Sequence, residues 1–314
     1  MLGGPGDEPP AQGGRRRRRA VVRELPVLGA QFTHPLLFLS GSDRATGGGT
    51  LRRMPFSRFH AVVFDFFGTL TPAVPSRVRD EHAARSAAPL GIDPRRWRQV
   101  WDESWPQRAV GALGGLRETV AELAARCGVE APDQVALLLA CEARLAAQRE
   151  LFAPRPDALR VLESIRRSGV RIGVLGDCSS ELADDWALVP VARWVDAAVF
   201  SCREGRRTPD PALYAEAVRR LGTTPERCLY VGDGGRELSG AAAAGLTAVR
   251  LRAEDRVEHG APGREAPDRE ADWTGWRATA LAQIATGLDY PEVLRPEHER
   301  PPAGRAPFPP HSQP

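Results

Sequence analysis

The chain has 314 residues, 42% of them hydrophobic and 26% charged, enough to bury one sizeable core or a core with an insertion. Its formal net charge of +3 is too small to point to nucleic acid as a partner, and no window approaches the ~20 apolar residues of a membrane-spanning helix. All 43 basic residues are arginine and there is neither lysine nor asparagine, a coding bias that argues against treating every Arg as selected for a task.

Residues 1–53 are rich in Gly, Arg and Pro with no sustained period, and are expected to form a disordered tail. The "RRRRR" run at 15–19 reads as solvated charge, and the following "AVVRELPVLGAQF" is interrupted by Arg23 and Glu24 too early for a secretory signal. Met54 directly precedes "PFSRFHAVVFDFFGTL", so a second expectation is that translation begins there and residues 1–53 are a mis-annotated extension. The cysteines at 127, 141, 178, 202 and 228 form no CxxC and no metal-type spacing with His, which predicts reduced thiols in a soluble cytoplasmic protein.

From Ala61 the pattern changes. "AVVFD" is a short apolar run rich in β-branched residues, as expected of a strand buried on both faces, and similar runs recur at 170–176, 197–201, 228–233 and 246–251. Between them lie helical patterns: Leu159, Leu162 and Ile165 share one face before Gly169, and Leu213, Val218 and Leu221 share another before Gly222. Strands alternating with helices of this length predict an α/β fold with a parallel sheet.

Residues 73–154 break the alternation and read as successive helices inserted after the first strand. Asp93 is expected to cap a helix with Pro94 at its first position, placing Trp97, Trp101 and Trp105 on one stripe. Packing inside a helical subdomain and a platform for ligand are both open for that stripe. Residues 133–152 are apolar on more than one side, which predicts a central helix. The expected core is 54–72 with 155–290, including an exposed polar loop from 254 and a last short helix in "WTGWRATALAQIATGL"; residues 291–314 read as a frayed, Pro-rich tail.

In an open parallel sheet, ligands bind at the carboxyl ends of the strands. Three predicted strands end there in carboxylates: Asp65, Asp177 and Asp233. Asp65 and Asp233 together would make an oxygen site suited to Mg²⁺, and the glycines in "FFGTL" and "GDGG" leave backbone amides free to approach an anion. A carboxylate so placed can attack phosphorus and pass through an aspartyl-phosphate.

"FDFFGTLT", "VLGDCSSEL", "GRRTPDPALYAEAVRRLG" and "YVGDGGRELSGAAAAGL" fall in the order and spacing of the four motifs of the haloacid dehalogenase-like (HAD) hydrolase superfamily, and with a helical cap after the first motif the chain resembles its C1-capped branch. That branch includes phosphoglycolate phosphatase-like and haloacid dehalogenase-like enzymes. The resemblance covers roughly residues 58–290 and implies a Rossmann-like parallel sheet flanked by helices. It further implies Asp65 as nucleophile and Mg²⁺ ligand, the Phe67 carbonyl, Asp233 and Glu237 around the metal, and Thr69 bracing the turn. Around the substrate it implies Gly176, Asp177 and Ser179, with Arg206 and Arg207 nearby.

The chain departs from the family pattern at three places. Phe67 stands where family phosphatases generally carry an Asp that acts as general acid and base; Gly176 replaces a Ser or Thr, with Ser179 and Ser180 as stand-ins; and Thr208 replaces a Lys before "PDP". Asp177 and Ser179 also fit a plain helix-capping role, and Arg206 and Arg207 a solvated loop. The expectation is a phosphohydrolase acting on a small phosphorylated metabolite. The alternatives are a catalytically weak HAD-like protein that binds a phosphorylated ligand or a protein partner, and a 2-haloacid dehalogenase. The last is disfavoured because it requires the Lys and an Asn-rich fourth motif.

Overall fold

In the computed structural model, which describes residues 58–252, 273–289 and 293–294, the five apolar runs form parallel strands. These are β1 (Ala61–Phe64), β2 (Arg171–Gly176), β3 (Ala197–Phe200), β4 (Cys228–Gly232) and β5 (Thr247–Leu251), to which β6 (Trp276–Ala278) is added. The order across the sheet is β3-β2-β1-β4-β5-β6, every pair parallel. β1 therefore sits at the switch point, from which the chain winds outward through β2 and β3 on one side and through β4, β5 and β6 on the other. The described residues all belong to the compact unit Arg53–Pro314, and the expectations for residues 1–53, the loop from 254 and the tail from 295 onward lie outside them.

Alternation along β1 sends its side chains to two cores. Val62 and Phe64 face Leu162 and Ile165 of α6 (Ala158–Arg167) and Ile284 and Leu288 of α11 (Leu281–Asp289). Ala61 and Val63 face Leu213, Tyr214 and Val218 of α9 (Pro211–Arg220) and Leu238 of α10 (Gly235–Ala243). The short helices α7 (Ser180–Asp184) and α8 (Ser201–Glu204) follow β2 and β3 directly.

The predicted helical segment is present between β1 and β2 as α1 (Ser76–Ala87), α2 (Pro94–Glu103), α3 (Trp105–Arg108), α4 (Leu116–Arg126) and α5 (Gln134–Glu150). Asp93 caps α2 as expected, its carboxylate accepting from the Arg95 and Arg96 amides. Trp97 and Trp101 pack with their ring centroids 5.7 Å apart, tilted by 47°, in the insert's own core. Trp105 opens a new helix, since α2 ends at Glu103, but stays beside Trp101: the Arg108 guanidinium lies over both rings, and all three tryptophans line one pocket. The two ends of the insert meet where the Arg155 amide donates to the Leu70 carbonyl at 2.9 Å.

Three expectations about elements change. α5 is not central: it packs on α1 and α4 by one side, and Val135, Leu138 and Leu139 of its other apolar side are 63%, 50% and 47% exposed. The last predicted helix begins late, because Trp276–Ala278 pairs with the open edge of β5 and only Leu281–Asp289 is helical, with Gln283 accepting from the Thr279 amide at its start. Leu294, expected in a frayed tail, is buried in the core that contains α6 and α11.

Candidate active site

β1 is hydrogen-bonded on both sides, and its register continues one residue further, the Asp65 amide donating to the Val231 carbonyl at 2.8 Å. That holds the buried Asp65 at the carboxyl edge of the sheet. Beyond it the chain makes one turn over Phe66–Leu70, closed by the Thr71 amide on the Phe66 carbonyl. The turn requires Gly68, whose φ is +82° and whose missing Cβ would stand 2.8 Å from Asp233 Oδ2. Thr69 Oγ1 donates to Asp65 Oδ2 at 3.1 Å.

Asp233 follows β4 and Glu237 lies in the first turn of α10, where the Tyr214 hydroxyl fixes the helix by donating to the Glu237 carbonyl at 2.9 Å. Carboxylate oxygens of Asp65, Asp233 and Glu237 all lie within 4.8 Å of one another. Two of the three residues are buried, so this concentration of negative charge is costly unless a cation offsets it. Three hard oxygen donors beside a closely approaching backbone fit Mg²⁺.

The three carboxylates line a pocket between the sheet edge and the insert, whose other side, around Asp177 and Ser179, departs from expectation. Asp177 is tied to the residue that replaces the expected Lys: its two oxygens accept from the Thr208 amide at 3.0 Å and the Thr208 hydroxyl at 2.9 Å, with Arg207 Nε 3.6 Å away. Ser179, the N-cap residue of α7, accepts no capping bond from that helix; its Oγ accepts instead from Arg108 Nη1 of the insert at 3.3 Å. Arg207 lines the pocket, but Arg206 does not, because it pairs with Asp210, the N-cap of α9. Gly176 is covered by Phe66, whose Cβ stands 3.5 Å from where its own would be, and does not reach the pocket. Phe67 lines the pocket, its ring edge-on to Phe66 at 4.8 Å.

Four residues that sequence reasoning did not single out shape the site. Arg155 is buried behind the turn that follows Asp65, donating to the carbonyls of Thr69 at 2.9 Å and Gly68 at 3.0 Å. Arg108 and Arg144 of the insert clasp Trp101 at 4.5 and 4.2 Å from its ring, the geometry of cation–π contact. Arg144 donates to Glu181 of α7 at 3.2 Å, a buried ion pair that joins insert to core. Burial pulls the Arg108 guanidinium down to about 9, opposed by Glu181, so it stays protonated at neutral pH. Burial acts to raise the Glu181 carboxyl, but Arg144 and Arg108 outweigh it and hold the group below the ordinary range. The partners lie far apart in the chain, and a sequence without lysine gives no contrast by which to pick out a functional Arg.

A family model for haloacid dehalogenase-like hydrolases matches residues 59–245. A phosphatase of Mycobacterium tuberculosis is 30% identical over 64% of this chain and 90% of its own length. A glyceraldehyde 3-phosphate phosphatase of Methanopyrus kandleri is 32% identical over 32% of this chain, and the match spans 43% of that relative, under half its length. Among solved structures, a 2-haloacid dehalogenase from Pseudomonas syringae superposes with a TM-score of 0.53 at 24% identity, covering 75% of this chain and 97% of that one.

Proposed function

The chain belongs to the haloacid dehalogenase-like hydrolases, in the branch with a helical insert after the first strand, and from that footing we propose that it is a Mg²⁺-dependent phosphohydrolase acting on a small phosphorylated metabolite in the cytoplasm. One observation carries the reading: three carboxylates from β1, β4 and α10 converge within 4.8 Å at the switch point, beside a glycine turn. The phosphatase relatives support the phosphoryl chemistry.

In this reading Asp65 attacks phosphorus, the bond to the leaving oxygen breaks with its electron pair on that oxygen, and water then releases phosphate from the aspartyl-phosphate. Asp65, Asp233, Glu237 and the Phe67 carbonyl would hold the metal, which when bound supplies positive charge for the phosphoryl oxygens. Thr69 orients the Asp65 carboxylate, while Arg155 fixes the turn from behind. Asp177, Ser179 and Arg207 face the substrate. Phe67 cannot move a proton, so departure of the leaving group is unassisted at that position, which favours substrates whose leaving oxygen is a weak base.

The test is hydrolysis of 4-nitrophenyl phosphate and a panel of small phosphate esters with and without Mg²⁺, beside Asp65→Asn. Turnover that needs the metal and disappears in Asp65→Asn is expected. A metal-dependent rise in melting temperature, lost in Asp233→Asn, reports binding independently of turnover. Folded protein that binds Mg²⁺ but turns over no ester would instead identify a catalytically weak member that binds a phosphorylated ligand or a partner, a reading favoured by Phe67 and by the engagement of Asp177 with Thr208.

A further inference from the structure

Two of the five cysteines meet beside the site. Gly176, the last residue of β2, lies opposite Phe200, the last of β3; Cys178 follows in the loop before α7 and Cys202 in α8, so the two elements leave neighbouring strand ends side by side. The sulfurs stand 3.8 Å apart. Ser201 fastens the two loops together, its hydroxyl accepting from the Cys178 amide at 2.9 Å and donating to the Cys178 carbonyl at 3.3 Å. Cys178 lies between Asp177 and Ser179 and lines the pocket, while the Cys202 carbonyl lies so close to Gly111 of the insert that a Cβ there would collide with it.

We propose that Cys178 and Cys202 form a modification site for hydroperoxides: they oxidise to a disulfide that displaces the Asp177–Ser179 loop and reversibly lowers activity. The Cys202 thiolate attacks the peroxide, forming S–O as O–O breaks and losing two electrons to the oxidant. The Cys178 thiol then attacks the sulfenic sulfur, forming S–S as S–O breaks. Its proton leaves with the hydroxyl as water, so two thiols and one hydrogen peroxide give one disulfide and two waters. Cys202 is the half-buried member, and the Cys178 thiol beside it and nearby Arg203 favour its thiolate; burial keeps Cys178 protonated as the resolving thiol. Closing the remaining ~1.8 Å between the sulfurs turns the Cys178 side chain toward Cys202 and draws on the loop that carries Asp177 and Ser179. Cys127, Cys141 and Cys228 show no such pairing and serve as internal references.

The oxidation stands without the phosphohydrolase reading, whereas its effect on activity rests on it. Full-length protein is treated with hydrogen peroxide, alkylated and mapped by peptide mass spectrometry, with 4-nitrophenyl phosphate hydrolysis followed in parallel. The expected result is a 178–202 disulfide formed before any other thiol reacts and a loss of turnover on the order of 10²-fold, the cost of displacing reacting groups by about 1 Å. Dithiothreitol should restore turnover, and Cys202→Ala should keep its activity under peroxide. Equal reaction of all five cysteines, or a disulfide that leaves turnover unchanged, overturns the proposal. If reduced protein hydrolyses nothing, the phosphohydrolase reading has failed together with the claim about activity, and the peptide map still decides the modification.

Discussion

Replacing Glu181 by Gln removes one charge and almost no volume from the junction of insert and core. Glu181 has 2% of its side chain exposed and Arg144 12%, with 3.2 Å between their charged groups. At an effective dielectric constant of about 20, opposite charges at that distance attract by about 5 kcal/mol. Gln keeps an acceptor for the Arg144 Nε, which retains ~1–2 kcal/mol, but it leaves two buried guanidiniums without their shared anion. The expected loss is about 3 kcal/mol of folding stability, or about 1.5 M in urea midpoint for a slope of ~2 kcal/mol/M.

The assay is urea unfolding followed by tryptophan fluorescence, at pH 7 and at a series of lower pH values. A depressed folded-state pKa means that Glu181 contributes fully above its unfolded value near 4.5 and loses that contribution as pH falls through the lower folded value. Parent and variant should therefore differ most at neutral pH and converge only below 4.5. A midpoint shift under ~0.5 M at pH 7, or a difference unchanged in acid, would refute the ion pair as the tie between insert and core.

Gly68→Ala forces a Cβ into the left-handed region and against Asp233, so a loss of ~1–2 kcal/mol in unfolding free energy and a 10- to 100-fold weaker Mg²⁺ affinity by calorimetry are expected. Phe67→Asp supplies a proton donor beside the nucleophile; turnover of alkyl phosphates should rise ~10²-fold while 4-nitrophenyl phosphate changes little, and an equal effect on both series would count against the missing acid. Arg155→Ala releases the carbonyls of Gly68 and Thr69, so kcat should fall at least tenfold with KM nearly unchanged, and Arg155→Lys should recover part of the loss in steady-state assays.

The five apolar runs and the carboxylates that end three of them were legible because a strand buried on both faces is apolar throughout, so a terminal Asp stands out against it. Thr69 and Glu237 came from the resemblance to the family motifs, since neither position stands out from its surroundings by hydropathy or period. Distant pairing was not legible. The Asp177 contact with Thr208, the clasp of Trp101 by Arg108 and Arg144, and Arg155 beneath the turn all depend on chain segments that meet only after folding. β6 was missed because a three-residue edge strand takes its conformation from a neighbour, and the apolar outer side of α5 suggested burial that the fold does not provide.

The hydrogen bond from the Arg155 amide to the Leu70 carbonyl makes everything between those residues a detour that leaves the sheet and returns to the same spot. The entropy of closing such a detour grows only with the logarithm of its length, about 0.6 kcal/mol for each doubling. A graft of another helical segment between the same two residues should therefore leave the strand register of the sheet fixed, because the length of the detour adds little to the cost of closing it.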